Sequence, residues 1–270
     1  MYIPGVQHLA CDFHVPFLYR KELTVKKLLP TAAAAVAATL CLAAAHAAQW
    51  SYQGVNGPKH WGTLSQDYSV CERGQNQSPI NIQGALKTAS TPLTLHYQDA
   101  PGKTIVNNGH TIQIDFDKGN TLTLDGHQFD LVQVHFHAPA ENEINGKRYP
   151  LEAHFVNADA QGKLAVVAVM FQAGSPNASL ARIWSQMPAS PGPAAPLPVK
   201  SLPSSLLPAS LSYYRYSGSL TTPPCSEGVR WLVLQSPVHA SPTQIRAFEQ
   251  RMGQATNRPV QPLNGRVIVK

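Results

Sequence analysis

The segment QVHFHAPAEN, residues 133 to 142, decides the interpretation of this chain, because its alternating apolar pattern carries two histidines. Successive side chains of a β-strand point to opposite faces, so His135 and His137 share one face at a separation of about 6–7 Å. A strand that buried this face for packing alone would carry Val or Ile there. The segment therefore predicts a strand whose two imidazoles act together on one side of a sheet.

A third histidine, His154, stands in the strand-like stretch LEAHFVN. A hairpin through Asn145-Gly146 would bring this stretch alongside the first. Three neutral imidazoles form a zinc site with an open fourth position, which is typical of catalytic rather than structural zinc, whereas calcium and magnesium prefer oxygen ligands. By itself, the HxH pattern equally fits two unrelated polar residues on a solvated strand face.

Two further residues favour the metal site. Gln133 precedes His135 by two positions, and Glu152 precedes His154 by two positions. Each therefore lies on the same strand face as its histidine and can accept a hydrogen bond from the second ring nitrogen, as the outer partners of metal-binding histidines do. We expect Gln133 and Glu152 to orient these two rings.

Composition and charge bound the class of protein. The 270 residues are 43% hydrophobic, which is enough for one sizeable core. The formal net charge is +6, but the sequence contains no dense Lys/Arg run. A nucleic-acid surface needs clustered basic residues, so we expect no nucleic-acid partner.

The N-terminal region has the pattern of a secretory signal. From Val25, two lysines precede an Ala/Leu-rich stretch that ends in Ala45-His46-Ala47. The apolar stretch is short for a membrane span, so we expect no stable membrane insertion, although a membrane-anchored N-terminus is the alternative. We expect residues 1–48 to be an upstream extension plus signal peptide, with 1–24 ahead of the true start, and 49–270 to be one periplasmic or secreted domain.

Two cysteines, Cys71 and Cys225, remain in the predicted mature chain. In an exported protein such a pair most simply forms one disulfide, the alternative being two buried thiols.

The remaining sequence predicts a mostly β domain. Strand-like segments span 93–96, 104–106, 111–116, 121–124, 129–137, 152–156, 164–171 and 231–238. Turn signals at 107–109, 117–120, 125–126 and 145–146 indicate antiparallel strands joined by hairpins. Helices are predicted over 179–187 and 242–252, and the proline-rich segment 188–208 is predicted to be a surface loop rather than a linker.

Six motifs taken together resemble the α-class carbonic anhydrases, in particular their exported bacterial members. They are QVHFHAPAEN, LEAHFV, NNGH, QNQSPINI, GSLTTPPC and NRPVQPL, and they span Trp50 to about Val269. The resemblance implies a single domain around a large twisted, mainly antiparallel central sheet with short peripheral helices. It also implies reversible hydration of carbon dioxide to bicarbonate and a proton through a zinc-bound hydroxide. The oligomeric state, a homodimer included, stays open.

The resemblance assigns roles to matched residues. His135, His137 and His154 match the ligands of Zn²⁺, and His110 matches the histidine that passes protons to buffer. Thr221 matches a threonine that donates to Glu141 and orients the nucleophile. The matched substrate-binding residues are Val156, Val166, Leu220, Thr222 and Trp231. The residues that match or lie near the water chain from the zinc to His110, the proton shuttle, are Tyr52, Asn108 and Gln113.

Some positions depart from the family pattern. Ala140 and Asn142 flank Glu141, where relatives often have serine and histidine. Thr256 replaces a common asparagine, at a position that offers its backbone carbonyl to a zinc ligand. One alternative is a binding protein without catalysis on the same scaffold, and the intact histidine triad argues against it. The other is a zinc-delivery protein, and the Thr221–Glu141 pair argues against that.

Overall fold

Short strands dominate the part of the chain that this computed structural model describes, residues 48–270 without Ser90 and Asp99. The strands are β1 (Asn81–Ile82), β2 (Thr94–His96), β3 (Gly102–Asn107), β4 (Ile112–Phe116), β5 (Thr121–Leu124), β6 (His127–His137), β7 (Glu143–Ile144), β8 (Lys147–Arg148), β9 (Leu151–Ala158), β10 (Leu164–Ala173), β11 (Ala195–Pro196), β12 (Tyr213–Ser219), β13 (Glu227–Leu234) and β14 (Val238–Ala240). The α-helices are α1 (Trp61–Leu64), α2 (Val70–Arg73), α3 (Ala178–Trp184) and α4 (Pro242–Met252). The predicted signal segment lies outside the described residues.

One large sheet organises these strands. Its main path runs β11-β3-β4-β6-β9-β10-β13-β12, with β14, β2 and β5 joined at the sides, and a small separate sheet contains β1, β7 and β8. Pairing in the large sheet is antiparallel except where β10 meets β13 and β14. The predicted fold class, a mainly antiparallel sheet with short helices, is confirmed.

One predicted hairpin is wrong. The segment 117–120 was expected to fold β4 back on β5, but both strands pair with β6, β5 along 127–130 and β4 along 133–135. The register of β6 against β9 shifts between Leu131 and Gln133. The turn signal at 117–120 therefore marks a break between β4 and β5, which pair one after the other with the long strand β6. Local sequence does not distinguish this arrangement from a hairpin.

The two faces of the large sheet pack differently. On one face, side chains such as Val134, Phe136 and Phe155 join a large apolar cluster with Leu180 of α3 and Phe248 of α4. The opposite face carries a smaller cluster that contains Val156, Val166 and Trp231. Because side chains alternate along a strand, His135, His137 and His154 point to this second face.

The helix predicted over 242–252 is confirmed, and its ends show why it was predictable. The Ser241 hydroxyl oxygen accepts a hydrogen bond from the backbone nitrogen of Gln244, and the Gln244 side chain accepts one from the backbone nitrogen of Ser241. Pro242 begins the helix. Gly253 ends it in the left-handed conformation, at φ 69°. No described helix has the length and apolar character needed to cross a bilayer.

Candidate metal centre

Three histidines converge on neighbouring strands. His135 and His154 are direct partners in the antiparallel pairing of β6 with β9, and His137 lies two residues beyond His135. One ring nitrogen from each lies within 4.8 Å of the other two, a grouping of metal-binding side chains found nowhere else among the described residues. Backbone register therefore brings together the three imidazoles that the sequence predicted, in an arrangement able to hold a metal ion.

The other nitrogen of each ring faces an oxygen acceptor. His135 Nδ1 lies 2.8 Å from Gln133 Oε1, and His154 Nε2 lies 2.9 Å from Glu152 Oε1. His137 Nδ1 lies 2.5 Å from the carbonyl oxygen of Thr256. These acceptors assign the ring proton to the outer nitrogen, which leaves the inner nitrogen with a lone pair for a metal.

Burial keeps these rings neutral. It lowers the pKa of each histidine, well below the usual value for His135 and His154, and the proximity of His137 lowers those two further. The inner nitrogen of His137, Nε2, is buried and has no hydrogen-bond partner among the described residues. A buried polar atom without a partner is costly unless something unseen binds it, so the donor set fits a metal ion.

Glu152 is held by several donors as well as by His154. Its Oε2 accepts from the backbone nitrogens of Glu141 at 2.6 Å and Asn142 at 2.9 Å, and its Oε1 also accepts from Asn142 Nδ2 at 2.8 Å. Burial raises the pKa of Glu152, while the hydrogen bonds from Asn142 lower it. The fully buried carboxylate is thus fixed in orientation toward the His154 ring.

Glu141 is also fully buried beside the histidines. Its Oε1 accepts from the backbone nitrogen of Arg258 at 2.8 Å, and its Oε2 lies 3.5 Å from His137 Nε2. Burial raises the pKa of Glu141 to about 8, whereas the backbone of Arg258 and the side chain of Thr221 lower it. Thr221 thus acts on the carboxylate, but Oε2 has no hydrogen-bond partner of normal geometry among the described residues.

The loop that carries Thr221 is tied to the segment 71–78. A disulfide joins Cys71 to Cys225, as the structure shows and the sequence predicted. Gln77 Nε2 donates to the Cys225 carbonyl at 3.0 Å, and the Ser219 backbone nitrogen donates to Ser78 Oγ at 3.1 Å. Covalent and hydrogen-bonded contacts therefore hold both ends of the segment 219–225.

Arg258 joins the same elements from the other side, and sequence reasoning missed it. Its guanidinium donates to the carbonyl oxygens of Cys71 and Ser78 and to Gln77 Oε1, each at 2.8 Å. Burial lowers its pKa to about 10, which still leaves the side chain charged at neutral pH. This buried residue connects the disulfide segment to Glu141 through its backbone.

His110 lies in the turn between β3 and β4. Asn108 Oδ1 accepts from the backbone nitrogens of His110 and Thr111, both at 2.9 Å, which fixes the turn. The His110 ring stacks on Trp50 with a centroid separation of 3.7 Å, a contact that sequence reasoning missed. Burial lowers the pKa of His110, and its buried Nδ1 has no partner among the described residues.

An apolar row runs beside the histidines. Val156, Val166 and Trp231 are register partners across β9, β10 and β13, and all three are buried. The Trp231 ring lies 4.9 Å from the His154 ring, and Leu220 packs against the same cluster. The residues predicted to bind substrate are thus neighbours on the second face of the sheet, while Thr222 lies half-buried in the adjacent loop.

Tyr52 and Gln113, the other residues predicted near a water chain, lie in different surroundings. The Tyr52 ring is buried 6.3 Å from the His110 ring, and burial raises its pKa well above the usual value. Gln113 is the register partner of His135, but its side chain donates to Asp115 Oδ1 at 2.6 Å. Tyr52 thus lies beside His110, while the amide nitrogen of Gln113 is turned toward Asp115.

The fold and the three imidazoles define a β-sheet protein with a buried group of three histidines able to hold a metal ion. The family model for eukaryotic-type carbonic anhydrase matches residues 56–270, and the chain belongs to this family. Hydration of carbon dioxide is the general reaction of this enzyme family.

Individual relatives agree with this assignment. A carbonic anhydrase of Pectobacterium atrosepticum is 52% identical over 87% of this chain and 96% of the relative. The α-carbonic anhydrase of Thermovibrio ammonificans, solved in complex with sulfanilamide, is 48% identical, with a TM-score of 0.81 over 83% of this chain and all of that one. Dioscorin in complex with ascorbate shares the fold at 31% identity, with a TM-score of 0.76 over 82% of this chain and 97% of that one.

Proposed function

We propose that the chain is an exported zinc enzyme that interconverts carbon dioxide and bicarbonate, with His135, His137 and His154 as the metal ligands. The observation that carries the proposal is the pairing of every outer ring nitrogen with an oxygen, which leaves three inner nitrogens turned toward one another. Three histidine ligands with an open position are the zinc set for which carbonic anhydrases are the standard example. Zinc held there would supply the charge that makes water a nucleophile at neutral pH, an effect also best known from carbonic anhydrases.

The residues around the triad support a hydration reaction. Thr221 can donate its hydroxyl proton to Glu141, whose other oxygen is held by Arg258, and the threonine oxygen then accepts a hydrogen bond from the attacking water. The positive charge of a zinc ion held by the triad would favour the ionised form of Glu141. An ionised carboxylate accepts and does not donate, so it fixes the direction of this hydrogen bond. The apolar row of Val156, Val166 and Trp231 offers the weakly polar substrate a surface without competing hydrogen bonds.

His110 is proposed as the group that passes the released proton to buffer. The buried Nδ1, which has no hydrogen-bond partner among the described residues, is available for a water contact, while the ring as a whole is only partly buried. An imidazole titrates near neutral pH, which suits a proton relay. Trp50 would hold the ring in one orientation.

Export to the periplasm, or secretion, is supported by the Cys71–Cys225 disulfide, because such bonds persist in oxidising compartments.

The decisive experiment measures metal content and carbon dioxide hydration together. Purified protein should bind one zinc, lose hydration activity with a chelator and regain it with zinc. The variant His135→Ala/His137→Ala should lose both zinc and activity. Metal-independent hydration, or full zinc binding by this variant, would refute the assignment.

A further inference from the structure

Asn142 contacts no histidine of the triad but touches the carboxylate that holds one of them. Its side chain is fully buried, and its Nδ2 donates to Glu152 Oε1 at 2.8 Å. The same Glu152 oxygen lies 2.9 Å from His154 Nε2. One carboxylate oxygen is therefore shared between the ligand ring and the amide.

Asn142 is itself locked in one orientation. Its Oδ1 accepts from the Tyr216 hydroxyl at 2.9 Å and from the backbone nitrogen of Ile80 at 3.3 Å. A flipped amide would turn an N–H donor toward the backbone N–H of Ile80 and its oxygen toward the Glu152 carboxylate. Each of these two contacts would leave buried groups unpaired, so the neighbours permit a single orientation.

We infer that Asn142 is a positioning residue of the metal centre, which acts through Glu152 on the ring of His154. The inference rests on the proposed function, since it assigns the inner nitrogen of His154 to a metal. The chain of contacts runs from Tyr216 through Asn142 and Glu152 to His154, and every member is buried. Without the amide, the Glu152 carboxylate keeps its two backbone donors but loses the contact that holds Oε1 at the ring.

The chain contains a matched control for this arrangement. Asn157, also fully buried, lies on β9 three residues beyond His154 and accepts from the Tyr97 hydroxyl at 2.6 Å through its Oδ1. Its Nδ2 donates to the backbone carbonyls of Phe155 and Ala165 instead of to a carboxylate. Substituting Asn157 thus removes an equally buried tyrosine-bonded amide that has no contact with Glu152.

The test compares the zinc affinity of Asn142→Leu and Asn157→Leu. Metal-free proteins are titrated against a chromophoric chelator, and their unfolding in urea is followed in parallel. We expect both substitutions to lower stability, but only Asn142→Leu to weaken zinc binding, by about 10- to 100-fold, as substitution of an outer partner typically does. The visible spectrum of the cobalt(II) protein should change for Asn142→Leu and stay as in the wild type for Asn157→Leu.

A milder pair covers the case in which a leucine variant fails to fold. Tyr216→Phe and Tyr97→Phe each remove one hydroxyl that bonds to a buried amide oxygen. We expect Tyr216→Phe to weaken zinc binding by about 2- to 10-fold and Tyr97→Phe to leave it unchanged.

The outcomes separate the inference from the proposed function. Wild-type zinc affinity in folded Asn142→Leu, or in Tyr216→Phe where the leucine variant does not fold, would overturn the inference. Equal weakening by the substitution at Asn157 would also overturn it, since the loss would then follow stability alone. Absence of zinc binding by the wild type would instead refute the proposed function.

Discussion

Removing the Cys71–Cys225 disulfide should destabilise the protein by several kcal/mol. The bond joins residues 154 positions apart in the sequence. In the chain-entropy account, a closed loop of this size restricts the unfolded chain by about 5 kcal/mol, which is an upper value because unfolded chains are not fully random. We therefore expect Cys71→Ser/Cys225→Ser to lose about 2–5 kcal/mol, with a Tm lower by about 5–15 °C.

Local contacts should preserve the fold of the reduced protein. Arg258 still donates to the Cys71 carbonyl, and Gln77 still donates to the Cys225 carbonyl, because neither contact involves sulfur. The loop with Thr221 loses its covalent link, however, so carbon dioxide hydration should fall as well. Its decrease should be smaller than the complete loss expected for the ligand variant.

Urea unfolding at 25 °C would measure the free energy of unfolding, and calorimetry would measure the Tm. Both measurements are made on the double variant and on wild-type protein under a thiol reductant. The two samples should agree, since both lack the same bond. If the free energy of unfolding stayed within about 0.5 kcal/mol of the value for the oxidised protein, the chain-entropy reasoning would be refuted. A difference of that size is expected of an ordinary surface substitution. Full activity in the reduced, folded protein would show that hydrogen bonds alone hold the Thr221 loop.

Three further predictions concern single side chains. Glu141→Gln replaces the acceptor beside His137 with an amide and should lower hydration activity by about 10- to 100-fold. The control Glu143→Gln removes a contact with Arg148 and should stay near the wild-type rate. Equal rates for the two variants would contradict the role of Glu141. His110→Ala should slow turnover in dilute buffer and recover with added imidazole, and an unchanged rate in dilute buffer would exclude the shuttle role. Burial lowers the pKa of His110, so the fold favours the neutral ring, and the associated stability is lost as the pH falls from the usual pKa through the lower pKa of the folded protein. Trp50→Ala should raise this pKa toward its usual value in an NMR titration, and an unshifted midpoint would show that Trp50 does not cause the lowering.

The inner part of the site was predictable from local sequence. His135 and His137, and likewise Gln133 with His135, lie two residues apart on one strand, and this spacing alone puts them on the same face. Glu152 and His154 repeat the pattern on a second strand. Only the pairing of β6 with β9 had to be inferred from a separate signal, the turn at Asn145-Gly146, which in the structure joins β7 to β8.

Much of the outer part was not predictable from local sequence, because it depends on contacts between loops. Arg258 reaches Glu141 across 117 residues, and Trp50 stacks on a histidine 60 positions later. Such contacts leave no periodic pattern in the sequence. In the sequence, Asn142 is distinguished only as a departure from the family pattern, because its contacts with Glu152 and Tyr216 depend on the fold.

The strands that carry the histidines serve two purposes on their two faces. Val134 and Phe136, which alternate with the histidines of β6, are buried in the cluster that α3 and α4 cover. That packing fixes the strand, and the strand fixes the imidazole positions, so the rigidity of the metal centre derives from the opposite face. The final orientation of two of the rings also depends on loop residues, because His137 contacts the carbonyl of Thr256 and His154 contacts a carboxylate held by Asn142. Changes in these loops should therefore act on metal binding more than on folding. Changes in the large cluster should lower stability first and reach the metal centre only through the strands.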